Sequence, residues 1–278
     1  MPIKQKKMSA LQLFLNATKR KRLPLDSFTP FSIRFESIYC PRKQLDRFAK
    51  AFGNPNELPS FSFIAAFPVM TQCLIQSGIP SRLMGLIHIS SHFSVNARQN
   101  WLLPTDIEVE IAEATRTEKG IFYKIETRLF QHDVLTITNI NYMLDKSRDY
   151  IPNRVTGSKT EDLEIGKPLC SIAISLKTSL CYALLSRDFN PIHLHPWLAK
   201  KFGLQTVLIH GMFNAHYVLS RLKQHEDLNS GQITIEFNRP CFLPKRVFVK
   251  QYGERPEYGL FSRDNSERFL KITIGKQI

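Results

Sequence analysis

The chain has 278 residues, 43% of them hydrophobic and 22% charged, with a formal net charge of +14. That composition excludes disordered and fibrous classes, and no apolar run approaches the roughly eighteen residues a spanning helix needs. The positive balance predicts attraction to polyanions: nucleic acid, an anionic membrane surface, or a phosphate-bearing or acidic carrier.

The start is basic. Lys4, Lys6, Lys7 and Lys19 to Arg22 face only Asp26 within the first thirty residues, which reads equally as a solvated arm. Leu11-Gln-Leu-Phe-Leu15 imitates an export signal, but it is too short, and Lys19-Arg-Lys-Arg22 stands where a small-residue cleavage site belongs. Residues 8–22 read as a short amphipathic helix, ended by the loop Leu23 to Pro30. Five scattered cysteines (Cys40, Cys73, Cys170, Cys181, Cys241) without a CxxC fit reduced thiols and a cytoplasmic location.

A strand over 31–38 and a helix over 41–52, ended by Gly53, open the first half. Residues 61–77 are apolar on nearly every side and read as a buried helix, which Pro68 should bend or truly begin. The period then changes to two. Alternation around Ile107 to Ile111 and Tyr123 to Leu129, and more weakly over 86–95 and 135–143, predicts four strands, with a hairpin turn at Lys119-Gly120. Residues 145–168 are polar and without period, a linker. The second half repeats the order. A strand over 169–176 leads into an Asp/Asn/His loop, a short helix runs from Pro196 to Phe202, and a buried helix runs from Gly211 to about Lys223. Strands follow around 233–237, 247–249, 258–261 and 270–274. One helix wrapped by an antiparallel sheet, twice, gives an α+β class with two units.

Asp188, Asn190 and His193 lie within six positions on a loop set by Pro191. A residue before proline is biased away from helix, so the loop can aim Asp188 and His193 at one point, as general acid–base work on a water requires. A plainer alternative has Asp188 or Asn190 capping the helix that starts at Pro196, with His193 packed beneath it. His210-Gly211 opens the second buried helix, where unpaired N–H groups suit a developing oxyanion. The alternative there is that Gly211 only permits tight helix entry. His193, His195 and His210 with Cys181 form too loose a set for zinc, and no metal is expected. Arg239, Lys245 and Arg246 lack an aromatic stacking rhythm, so no nucleic-acid module is read.

Taken together, Ser186-Arg-Asp-Phe-Asn-Pro-Ile-His193, Ala199, Phe202-Gly203 and Ile209-His-Gly-Met212 resemble the signature of MaoC-like dehydratases and R-specific enoyl-CoA hydratases. That signature runs roughly S-G-D-x-N-P-I-H, then A and F-G, then a hydrophobic residue and H-G-M. The resemblance implies a double hot-dog: a basic helix and loop over 1–30, a degenerate unit over 31–144, the linker, and a catalytic unit over 169–278. It implies a hydratase/dehydratase of trans-2-enoyl and (R)-3-hydroxyacyl thioesters, with Asp188 and His193 activating a water. Gly211 N–H would be the oxyanion donor, Asn190 would orient the loop, and His210 would line the site. Coenzyme A or an acyl carrier protein would enter as part of the substrate, with no separate cofactor and a homodimer possible. Arg187 stands where the signature has glycine. It would carry strain if that position needs a positive φ, or it could reach a cofactor phosphate. It also motivates an alternative, a catalytically silent hot-dog protein that binds acyl thioesters or a partner.

Overall fold

A computed structural model describes residues 22–146, 165–253 and 257–275, together with 3–4, 8, 12–13 and 16. The helix expected over 8–22 and the linker interior fall largely outside these residues. The chain divides into two units, Met1–Tyr150 and Ile151–Ile278.

In the first unit, β1 (Ile3–Lys4) pairs in parallel with β2 (Phe31–Ile38). Strands β3 (Leu86–Val95), β4 (Thr105–Thr117), β5 (Gly120–Gln131) and β6 (Val134–Lys146) complete an antiparallel sheet in the order β1-β2-β4-β5-β6-β3. The alternation on β4 settles its two faces. Ile107, Val109 and Ile111 are fully buried. On the other face Arg128 holds Glu108 at 2.6 Å, Glu110 at 2.9 Å and Glu126 at 2.7 Å. Helix α1 (Arg42–Phe52) buries Leu45, Phe48 and Phe52, and ends at Gly53 with φ 97°. Helix α2 (Phe61–Gln76) then crosses the sheet, with 13 of its residues buried. Pro68 neither starts nor ends it; the proline lies inside the helix and withholds one N–H from the carbonyl of Ile64.

The linker expected over 145–168 is shorter at both ends. Asp145 and Lys146 still pair with Ile121 and Gly120, and Ile165 already pairs with Tyr252. Backbone pairing extends these strands past the residues whose side chains alternate.

The second unit begins with β7 (Ile165–Ile174). The strand expected over 169–176 stops there, and an unforeseen helix, α3 (Leu176–Ser186), follows. Helix α4 (Pro196–Lys201) and the buried helix α5 (Gly211–Leu222) come next. Strands β8 (Gly231–Phe237), β9 (Lys245–Tyr252), β10 (Glu257–Phe261) and β11 (Arg268–Gly275) form an antiparallel sheet with β7 in the order β8-β11-β10-β9-β7. Its inner face, Ile235, Val247, Val249, Leu260, Leu270 and Ile272, is fully buried. Helix α5 packs on β10 and β11.

The two units share one local plan. Each runs from strand to an 11-residue helix, to a residue with positive φ, to an Asn-Pro 3-10 turn, and on to the buried helix, which the second unit reaches only after α4. In the first unit the positive φ is at Gly53, and the turn is Pro55–Glu57, capped by the Asn54 side chain accepting from Asn56 N–H at 3.0 Å. In the second it is at Arg187, with φ 63°, and the turn is Pro191–His193.

Candidate active site

Helix α3 aims the loop. Ser175 and Thr178 make a reciprocal capping box at its N-terminus. Its last turn is closed by the Arg187 N–H, which donates to the Ala183 carbonyl at 2.8 Å. Arg187 is left-handed, with φ 63° and ψ 18°. Arg187 thus occupies a conformation glycine adopts freely, and its guanidinium makes no ion pair among the described residues.

From there the loop is fixed by its own polar groups. The Asp188 N–H donates to Ser186 Oγ at 3.2 Å, and Asp188 Oδ1 accepts the Asn190 N–H at 3.1 Å. Asn190 Oδ1 accepts the Ile192 N–H at 3.5 Å, capping the turn that ends in His193. From the inner side of α3, Ser179 Oγ donates to the His193 carbonyl at 2.8 Å. Neither Asp188 nor Asn190 caps α4. That position belongs to His195, whose Nδ1 accepts the Trp197 N–H at 3.1 Å.

The remaining two imidazoles converge on Asp188. The rings of His193 and His210 stack with centroids 3.8 Å apart and planes 25° apart. The potential ligand atoms of Asp188, His193 and His210 all lie within 4.8 Å of one another. Carbonyl partners fix both tautomers, because a carbonyl can only accept. His193 Nδ1–H donates to the Leu208 carbonyl at 2.6 Å, which leaves Nε2 with the lone pair. His210 Nε2–H donates to the Asp188 carbonyl at 3.1 Å, so Nδ1 carries its lone pair, buried and without a hydrogen-bond partner among the described residues.

Burial dominates the electrostatics. It pushes His193 below the ordinary histidine value, opposed by the charge of Asp188. It pushes His210 far lower, aided by His193. The 3.9 Å approach of His210 to Asp188 Oδ2 is therefore a contact with a neutral ring rather than an ion pair. Burial raises Asp188 above the usual carboxylate range, while His193 and the Asn190 N–H pull it down. The result is a neutral imidazole with a free Nε2 beside a carboxyl group, the pairing that general base catalysis uses. The same three side chains could offer a cation an open three-ligand site. Cys181 is exposed on α3 and takes no part in this cluster.

Gly211 is the first residue of α5, where the N–H has no acceptor within the helix. A Cβ at Gly211 would lie 2.9 Å from Cδ1 and 3.0 Å from Cε1 of Phe237. Packing against β8 thus disfavours any larger residue here, whatever the N–H does.

Sequence reasoning missed Tyr182, Ser179 and the Leu208 carbonyl. The Tyr182 ring lies 4.9 Å from that of His210, 5.7 Å from Phe213 and 5.8 Å from His216, walling the cluster from beneath. Burial, then the charge of Asp188, hold its hydroxyl well above the ordinary tyrosine value. The available signal was Ser175-x-x-Thr178 before Leu176 to Leu185. Its form differs from the usual capping box, which has Glu or Gln at the fourth position.

The MaoC-like domain family matches residues 163–254. A curated relative, 3-hydroxyacyl-thioester dehydratase X of Mycobacterium tuberculosis, is 23% identical over 193 residues, 68% of each chain. The crystal structure of HtdX from the same organism superposes with a TM-score of 0.75 at 19% identity, over 88% of this chain and all of that one. A MaoC-like dehydratase from Phytophthora capsici gives 0.63 at 14% identity, over 92% and 99%. A further Mycobacterium tuberculosis protein, described as a double hot-dog, gives 0.55 at 10% identity, over 90% and 97%. Among the described residues no helix is long and apolar enough to cross a membrane. The chain has a double hot-dog fold, and residues 163–254 of its C-terminal unit are similar to the MaoC-like domain.

Proposed function

We propose that this chain is a hydro-lyase that interconverts trans-2-enoyl and (R)-3-hydroxyacyl thioesters of coenzyme A or an acyl carrier protein. The observation that carries the reading is the convergence of Asp188 with the unprotonated Nε2 of a neutral His193. The name of the curated relative, a 3-hydroxyacyl-thioester dehydratase, supports the same class.

In this reading a water is held between Asp188 and His193 Nε2. As its oxygen bonds to C3 of the enoyl group, His193 takes one of its protons, and the C2=C3 electron pair moves towards the thioester carbonyl. The enolate oxygen that develops is met by the Gly211 N–H and the positive end of α5. The proton is then delivered to C2, and dehydration is the reverse. Asn190 acts by shaping the turn that carries His193, and His210 by tethering the Asp188 carbonyl. Arg187, next to Asp188 and without an ion-pair partner among the described residues, is assigned to a phosphate of the thioester carrier.

The test is hydration of trans-2-enoyl-CoA thioesters of graded length by the full chain, followed as loss of enoyl absorbance. Asp188→Asn and His193→Ala should each lower the rate at least about a hundredfold with folding intact. Near-normal turnover in either variant ends the mechanism. Measurable acyl-CoA binding with no turnover at any length, on either carrier, would instead favour a silent binding protein.

A further inference from the structure

Helix α3 carries apolar side chains on its outer side as well as its inner one. The buried residues are Ser179, Tyr182, Ala183, Leu185 and Ser186. Its outer face is Lys177, Leu180, Cys181 and Leu184, spaced i, i+3, i+4 and i+7, the seam by which helices usually pack on a partner. Leu180 is 40% exposed and Leu184 is 54% exposed, and no described element covers them. The stripe ends one turn before Arg187 and Asp188.

Along this segment of the chain the charge has one sign. From residue 165 to residue 210 the only acidic side chain is Asp188, which belongs to the active site, against Lys167, Lys177, Arg187, Lys200 and Lys201. Trp197 and Phe202, farther along the same segment, are also exposed, and Lys201 Nζ lies 3.7 Å from the Trp197 ring centroid.

We propose that the outer face of α3 is the docking site for an acidic carrier protein that delivers the acyl thioester to Asp188 and His193. The proposal rests on the thioester reading above and selects the protein-borne substrate. An apolar stripe of about 6 Å from Leu180 to Leu184, extended by Lys177 to about 10 Å along a helix at 1.5 Å per residue, matches a protein helix rather than a nucleotide. The basic flanks supply the complementary charge that steers an acidic partner. A second copy of this chain fits poorly, because two-fold pairing across so short a stripe brings Lys177 and its basic neighbours towards their own copies. Docking on the helix whose C-terminus is Arg187 would bring the tethered thioester to the mouth of the catalytic loop.

The experiment compares one trans-2-enoyl group on an acidic holo-acyl carrier protein and on coenzyme A, using the full chain and the Leu184→Glu and Lys177→Glu variants. Both sites face solvent, so folding should survive, and thermal melts check this. Each variant should lose at least tenfold in kcat/KM for the carrier-borne substrate, mainly through KM, while CoA turnover stays within twofold of wild type. Equal losses on both substrates, or no loss on either, overturn the proposal. Binding of a carrier loaded with a saturated acyl group is measured separately by fluorescence anisotropy. Binding that Leu184→Glu abolishes, with no turnover of any thioester, upholds docking and sinks the reaction. Intact turnover with no carrier binding does the opposite. A dimer in analytical ultracentrifugation that Leu184→Glu converts to monomer reassigns the face to self-association. Retention on phosphatidylglycerol-containing vesicles that the variant loses reassigns it to a lipid surface.

Discussion

Replacing Gly211 by alanine separates two roles that coincide at the start of α5. Alanine keeps the backbone N–H, so any loss must come from the added methyl group. That methyl would sit 2.9 Å and 3.0 Å from two carbons of the Phe237 ring, whereas carbon pairs prefer about 3.5–4.0 Å. The ring, or the first turn of the helix, must withdraw by about 0.5–1 Å, and overpacking of this kind costs about 1–3 kcal/mol. Against it stands the reduced freedom of the unfolded chain, worth about 0.4–1 kcal/mol in favour of alanine. The net expectation is a destabilisation of about 1–2 kcal/mol, read as a lower denaturant midpoint at unchanged m-value. Phe237→Ala opens the space, so the same alanine on that background should be neutral or stabilising, with a coupling energy of about 1 kcal/mol or more. Hydration rates measured on the four proteins should follow the clash, falling in Gly211→Ala and recovering towards the Phe237→Ala level in the double variant. A Gly211→Ala protein as stable as wild type would refute the packing argument.

Three further outcomes are expected. Half-buried His88 is pushed down to about 4 and buried His216 to about 3, both chiefly by lost solvation. In the unfolded chain each takes up a proton below about 6.5, so stability should fall as pH drops, by at most about 1.4 kcal/mol per pH unit for each histidine. The windows run from about 6.5 to about 4 for His88 and to about 3 for His216; urea midpoints that stay flat between pH 7 and pH 4 would contradict this. Burial depresses His193 as well, so the acid limb of the hydration rate should lie below the ordinary histidine value. Arg187→Gly relieves about 1–2 kcal/mol of left-handed strain and forfeits about 0.5–1 kcal/mol to chain entropy, a net gain that raises Tm by roughly 2 °C. A rise in KM for the CoA thioester in that variant would identify the guanidinium as a phosphate contact. Chelation with EDTA should leave turnover unchanged, and a loss restored by zinc would make Asp188, His193 and His210 ligands instead.

The strands of the first unit were legible because one face of each is buried and the other is not: Ile107, Val109 and Ile111 against Asp106, Glu108 and Glu110. The buried helices were legible from their lack of a polar side. Helix α3 was not, because its two faces differ too little. Its inner face mixes Ser179 and Ser186 with Tyr182, Ala183 and Leu185, while Leu180 and Leu184 point out. Missing that helix hid Tyr182 and the positive φ of Arg187 behind a conditional. The pairing of His210 with the Asp188 carbonyl spans 22 positions, and no local spacing announces it. The reason for Gly211 was hidden likewise, since Phe237 approaches from another strand.

The Asn-Pro turn occurs twice, and only one copy is chemically equipped. At the place held by His193, three residues after the asparagine, the first unit has Glu57, and Gly53 precedes Asn54 with no aspartate between them. Yet the earlier copy keeps its capped corner. The corner is therefore structural, a joint that turns the chain after its 11-residue helix in both units. Reactivity is a tenant of that joint rather than its builder. A chain that loses Asp188 and His193 should keep the bend, as the first half of this molecule already does.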